Sequence, residues 1–242
     1  MNRLEGTQMP ASRGRSQDRL ISDPVSFPVY GIIGGISVLC VLLIIVRIIR
    51  MGDNPFGFML WNLFLAWLPL IFSMTAIQIQ LKKRGAVKAI LLPILGAGWL
   101  VLYPNAPYLT TDFIHVIFQP YHPDSLILWY DLVVFFLFSW CGLLLAYGSM
   151  RHFQAIVRHY ADVRIGWLFI AAVSFLGGFG VYLGRVERLN SWDVLFSPFR
   201  LIEGVLEGLN PGAFIFTFLI GMLILILYVS LYALHRERER ID

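Results

Sequence analysis

Apolar residues fall along this chain in six blocks, and polar residues collect between them. The blocks cover 29–46, 56–78, 87–103, 126–149, 165–184 and 213–234. An α-helix rises about 1.5 Å per residue, so about 20 apolar residues cross a hydrocarbon core about 30 Å thick. No water satisfies a peptide group inside a bilayer, so each block must close its own backbone hydrogen bonds, as a helix does. The pattern predicts an all-α polytopic membrane protein of six transmembrane helices, with short interfacial helices at one face.

Composition supports that class. Hydrophobic residues make up 58% and charged residues 14%, where a soluble domain carries about 25% charge. The loops are too short to enclose a second core, so a single membrane domain is expected over 25–236. Residues 1–24 are rich in Arg, Ser, Gly and Gln with no apolar period. They read as a disordered basic tail, or as a basic arm resting on anionic lipid. They lack the pattern of a secretory signal. Residues 237–242 form a short C-terminal end of alternating charge. Cys40 and Cys141 both sit inside blocks, as small buried hydrophobes rather than a disulfide framework.

Charge sets the orientation. Lys and Arg gather on the cytoplasmic side of a membrane protein. Six crossings put both chain ends on one side. That side receives Arg3, Arg13, Arg15, Arg19, Lys82, Lys83, Arg84, Lys88, Arg151, Arg158, Arg164, Arg236, Arg238 and Arg240, 14 of the 19 cations. The other side receives Arg47, Arg50, Arg185, Arg188 and Arg200. Both termini are therefore expected in the cytoplasm. The net charge of +4 reads as topology, with no nucleic-acid partner expected.

Three punctuated segments lie on the cation-poor side. Residues 103–115 read Tyr-Pro-Asn-Ala-Pro-Tyr-Leu-Thr-Thr-Asp-Phe-Ile-His. Pro104 and Pro107 should interrupt the third helix. Thr110 or Thr111 should then cap a short new helix with Asp112 in its first turn. Asp112 and His115, three apart, would share one face, suited to a divalent metal or to proton transfer. A capping aspartate and an interfacial histidine fit the same spacing. Asp131, in Trp129-Tyr-Asp131, lies inside an apolar block and needs either an interior partner or a helix dipole. Residues 184–193 pack Arg185, Glu187, Arg188, Asn190, Trp192 and Asp193 into one turn of chain. Ser197-Pro198 starts an amphipathic helix to Leu209, expected to lie on the membrane surface. Glycines 177, 178, 180 and 184 should let the fifth helix pack closely on a neighbour.

Asn62 lies inside the second block and needs a partner, and Pro69 frees a backbone carbonyl near Leu65. Either could border a cavity; either could be helix glue or a kink. Of the other histidines, His122 lies between prolines and looks incidental. His152 and His159 fall on a helix extension expected to be interfacial on the cation-rich side.

The candidate site is thus Asp112, His115, Asp131 and Asp193 as catalytic groups. Asn62, Asn105, Tyr108, Arg185, Glu187, Arg188, Asn190 and Trp192 are the candidate ligand-binding groups. A divalent metal is the cofactor that Asp112, His115 and Asp193 would hold.

Together these motifs resemble a family of bacterial multi-pass membrane proteins known as domain of unknown function thirteen sixty-one. The resemblance rests on Trp61-Asn-Leu-Phe-Leu-Ala-Trp-Leu-Pro69, on Pro104-Asn-Ala-Pro-Tyr-Leu-Thr-Thr-Asp112 with His115, on Trp129-Tyr-Asp131, and on Gly184-Arg185 with Arg188 and Asn190-Ser-Trp-Asp193. It covers roughly residues 54–234. It implies a bacterial inner membrane and that these residues matter together; it implies no reaction.

Three functions compete. First stands an enzyme or ligand site at the outer leaflet, with Arg185 and Arg188 holding a lipid-like or anionic molecule. Second is a subunit or assembly factor docking a membrane-protein partner. Third is a transporter, which needs ionisable groups near the bilayer centre and repeats between halves; neither is present in the sequence.

Overall fold

Every regular element of the computed structural model is helical among the residues it describes, 27–52, 55–82, 85–121, 125–191 and 193–241. In chain order they are α1 (Phe27–Met51), α2 (Phe58–Lys82), α3 (Ala86–Leu102), α4 (Asn105–Tyr108), a 3-10 turn (Leu109–Phe113), α5 (Ile114–Ile117), α6 (Leu126–Tyr160), α7 (Val163–Arg185), α8 (Asp193–Phe196), α9 (Pro198–Glu207) and α10 (Pro211–Ile241). Six helices, α1, α2, α3 with the turns after it, α6, α7 and α10, are long and apolar enough to cross a membrane. The protein is an all-α, multi-pass membrane protein. The tail over 1–24, His122 and Trp192 lie outside the described residues.

The connections that follow α1, α5 and α7 alternate with those that follow α2 and α6, so the first set shares the end of the bundle that the sequence makes cation-poor. Helix starts follow local chemistry. Ser125 accepts the Ile127 N–H at 3.2 Å to open α6, and Asp162 accepts the Ile165 N–H at 2.8 Å to open α7. Pro198 sits in the first turn of α9, as the Ser-Pro pair predicts.

Helix α6 forms the axis. It packs on α1, α2, α7 and the 3-10 turn, and 67% of its apolar stretch is buried, against 17% for α10. The peripheral helices carry exposed Ile45, Ile90 and Leu219, the apolar belt that lipid tails cover. Lipid is as apolar as leucine, so helix association relies on close packing and polar contacts. Helix α7 uses glycine on two faces. A Cβ on Gly178 would lie 2.7 Å from the Thr217 carbonyl oxygen and 2.9 Å from the Gly221 nitrogen of α10. On the other face, Gly177 and Gly180 take Tyr103 and Pro104. Gly178→Ala must therefore push two backbones apart and should cost about 1–3 kcal/mol. Gly96→Ala, whose nearest neighbour is a Phe153 ring carbon at 3.6 Å, should change the melting temperature little. A melting comparison of the two variants in detergent checks the contact.

Polar pegs hold α1 against α6. The Tyr130 hydroxyl donates to the Leu43 carbonyl at 2.6 Å, and Ser37 Oγ meets Cys141 Sγ at 3.2 Å. Deeper along the pair, His152 is not interfacial as the sequence led us to expect; it is 2% exposed. The cause is that α2 and α1 bring partners to it. Ser73 Oγ donates to the Leu70 carbonyl at 2.8 Å, so it accepts from His152 Nδ1–H at 2.8 Å. Nε2 is then left to accept from the Tyr30 hydroxyl at 2.6 Å.

Candidate functional site

The third crossing does not stop at its prolines. Tyr103, Pro104, Tyr108 and Leu109 all keep helical dihedrals. Proline fixes φ near the helical value, so Pro104 and Pro107 change the hydrogen-bond register rather than the direction of the chain. Hence no residue takes the extended conformation that a side-chain N-cap needs. The expected threonine cap is absent: Thr110 and Thr111 instead donate backward, to the Pro107 and Tyr108 carbonyls, each at 2.7 Å.

This tightened segment carries Asp112 inward, fully buried. The last turn of α7 brings Arg185 to meet it as an ion pair. Arg185 is the hub. Its Nε and Nη2 donate to Thr111 Oγ1 at 2.9 and 2.8 Å, Nη2 also donates to Asp112 Oδ1, and Nη1 reaches His115 Nε2 at 3.2 Å. The guanidinium lies 4.2 Å from the centre of the Tyr108 ring. Arginine only donates, so His115 Nε2 accepts and the imidazole proton sits on Nδ1. The His115 ring rests 4.6 Å from that of Phe58. Asn62 of α2 completes the group, donating to Asp112 Oδ2 at 3.0 Å.

Beside this hub lies a cavity of about 330 Å³. Trp61, Asn62 and Leu65 of α2, Asn105 and Tyr108 of α4, and Leu176, Phe179 and Leu183 of α7 line it, with Asn190, Ser191 and Val205 from the following segment. Trp61 and Leu176 are more than half exposed, so the cavity opens beside the lipid-facing belt. Asn62 and Tyr108 belong to both the cavity wall and the hub. Asn62, Asn105, Tyr108 and Asn190, expected from sequence as ligand-binding residues, come together here.

The other candidates go elsewhere. Asp131 is fully buried and paired with Arg47 of α1, whose Nε and Nη2 reach its two oxygens at 2.7 and 3.0 Å. Tyr121 donates to the same carboxylate. Asp193 accepts the Asn190 N–H at 2.7 Å, bracing its own turn. The structure therefore gives Asp112, Asp131 and Asp193 three separate partner sets, not one shared cavity. Glu187 accepts from the Tyr182 hydroxyl at 3.1 Å. Arg188 is exposed with φ 55°, while Leu189 N–H turns back to the Leu183 carbonyl at 3.1 Å. A left-handed arginine costs of order 1 kcal/mol, so Arg188→Gly should raise the melting temperature by a few degrees. No group of three His, Cys, Asp or Glu lies close enough to hold a metal among the described residues. A divalent ion at Asp112 and His115 would compete with the guanidinium already there.

Arg47 is the residue sequence reasoning missed. Its signal was present: a cation against the positive-inside bias, immediately after the first apolar block, with an unexplained intramembrane acid elsewhere in the chain.

A family model described as protein of unknown function (DUF1361) matches residues 61–227. No curated protein and no solved structure matches the chain. Helix α1 lies before the matched segment, yet supplies the charge that neutralises Asp131 within it. The chain belongs to the DUF1361 family.

Proposed function

We propose that this DUF1361 member binds a lipid-like molecule from the extracytoplasmic leaflet of a bacterial inner membrane, with both termini in the cytoplasm. The carrying observation is the cavity: about 330 Å³, mostly apolar, with amides and a tyrosine in its wall, opening beside exposed Trp61 and Leu176. Ligand sites have this size and this mixture of apolar wall and few polar groups. Helix α9 supports a place at the leaflet surface. It rests Gly204 and Gly208 on Leu189 and Leu183, points exposed Phe199, Ile202, Leu206 and Leu209 away from the protein, and keeps Arg200 and Glu203 on a third side. Such a helix lies in the interface plane.

A binding role fits better than acid–base catalysis by Asp112, because both its oxygens are taken and the group is buried. Val205→Trp tests the reading by filling the cavity from α9. Native mass spectrometry of the detergent-extracted protein is expected to find retained lipid in the wild type and to lose most of it in the variant. Equal retention in both refutes the site. Orientation is checked separately in intact cells: Pro120→Cys should react with a membrane-impermeant maleimide and Ala161→Cys should not. The opposite pattern inverts the topology.

A further inference from the structure

We infer that the molecule held in this cavity is a lipid whose polar end is uncharged and presents hydroxyl donors. The inference rests on the lipid-binding reading and specifies the headgroup.

The hydrogen-bond polarity of the cavity carries the argument. Asn62 faces Asp112, a carboxylate held by Arg185. A carboxylate so paired only accepts, so the Asn62 amide must turn its NH₂ toward it. Its Oδ1 is left over. Asn105 is fixed in the same way. Its Nδ2 donates to the Leu102 carbonyl at 2.8 Å and to Ser191 Oγ at 3.0 Å. A carbonyl cannot donate, so this amide cannot be reversed either. Ser191 spends its own proton on the Val101 carbonyl at 3.2 Å. Among the described residues neither Asn62 Oδ1 nor Asn105 Oδ1 has a partner, and both residues line the cavity. Tyr108 adds a hydroxyl that is likewise unpartnered among the described residues. The polar lining therefore offers two fixed acceptors and one hydroxyl, together with the Asn190 side-chain amide, which no partner fixes among the described residues and which can turn either way.

Charge narrows the class. Among the described residues, none that lines the cavity is charged. Arg185 stands behind the Tyr108 ring, compensated by Asp112 and bonded to Thr111 and His115. A phosphate headgroup would meet two fixed amide oxygens, could draw donors only from Tyr108 and Asn190, and would lose its hydration without a counter-charge. An ammonium headgroup would find acceptors but no carboxylate free to pair with it. A hydroxyl group meets neither cost, because it donates to the amide oxygens and carries no charge. Sites that hydrogen-bond a hydroxyl discriminate strongly against ligands lacking it, since their polar groups are then left unpaired. The remaining wall, including Leu65, Leu100, Phe179 and Leu183, suits a hydrocarbon chain.

The test uses the full chain in detergent with four probes: dioleoylglycerol, monoglucosyl dioleoylglycerol, dioleoylphosphatidylglycerol and free glucose. Dissociation constants are read by native mass spectrometry titration. The two neutral hydroxylated lipids are expected to bind about tenfold or more tightly than the anionic lipid, one to two lost hydrogen bonds being worth about that factor. Asn105→Leu should collapse the preference. Tyr108→Phe, which keeps the ring over Arg185, should reduce it several-fold without weakening the anionic lipid. Anionic lipid binding as tightly as the neutral ones overturns the headgroup assignment and leaves lipid binding standing. A preference unchanged in both variants also overturns that assignment. Glucose binding as tightly as its lipid overturns the lipid assignment. Failure of every lipid to bind overturns the parent reading as well.

Discussion

Replacing Asp131 by alanine is expected to cost about 3–5 kcal/mol and to cut the yield of folded protein. Asp131 is fully buried and Arg47 is 7% exposed. Taking one partner away leaves the other charged in a poorly hydrated place, which costs far more than the pair contributes net. Arg47 also spreads over the Phe56 ring at 4.5 Å. Tyr121 should not compensate. Burial, and then the carboxylate it donates to, hold its hydroxyl above the usual tyrosine range, so it stays a neutral donor through physiological pH. The double variant Arg47→Met, Asp131→Leu removes both charges at similar volume and should recover most of the loss, because well-packed apolar replacements of buried ion pairs are often neutral or better. Melting temperatures of the single and double variants decide it. A double variant as unstable as Asp131→Ala would mean that packing at the end of α1, not charge, is what the pair supplies.

The architecture was legible in the sequence because the bilayer imposes a simple rule. Twenty apolar residues in a row have one solution. The same rule explains why α6 overran its expected end. Past Ser149 the chain turns polar, and hydropathy stops reporting on helix, although Arg151, His152 and Gln154 find partners inside the bundle. Partner choice was not legible. Arg47 and Asp131 are 84 residues apart, and Arg185 and Asp112 are 73 apart. Periodicity places a residue on a face but does not say which helix that face meets. Grouping by membrane side put Asp112, Asp131 and Asp193 together; the packing of α1 on α6 and of α7 on α4 gives them different neighbours. Arg185 was singled out as an anion-binding cation, and the geometry makes it the counter-charge of a neighbouring acid. The amides and Tyr108 were also singled out, but their hydrogen-bond polarity depends on neighbours that only the fold supplies.

Asp112→Asn should separate the hub from the turn that braces it in sequence. The substitution keeps the shape and removes the charge that balances Arg185, 19% exposed. A loss of about 3–5 kcal/mol is expected. The new amide also meets two donors, from Arg185 and from Asn62, with only one oxygen to offer. Asn62 relieves this by reversing its own amide, which sends its NH₂ into the cavity in place of Oδ1. The variant should therefore lose stability and, in whatever folded fraction remains, shift its lipid preference toward an anionic headgroup. Asp193→Asn should do neither. Its contact is an oxygen accepting the Asn190 N–H at 2.7 Å, and an amide oxygen accepts that bond nearly as well, so the cost should stay near 1 kcal/mol. Thermal melts in detergent and the lipid titration, run on both variants, read the two effects separately. Equal large losses would mean that Asp193 carries a charge partner of its own and that the loop over 186–193 is part of the hub. A stable Asp112→Asn with unchanged lipid preference would mean that the ion pair does not set the cavity's polarity.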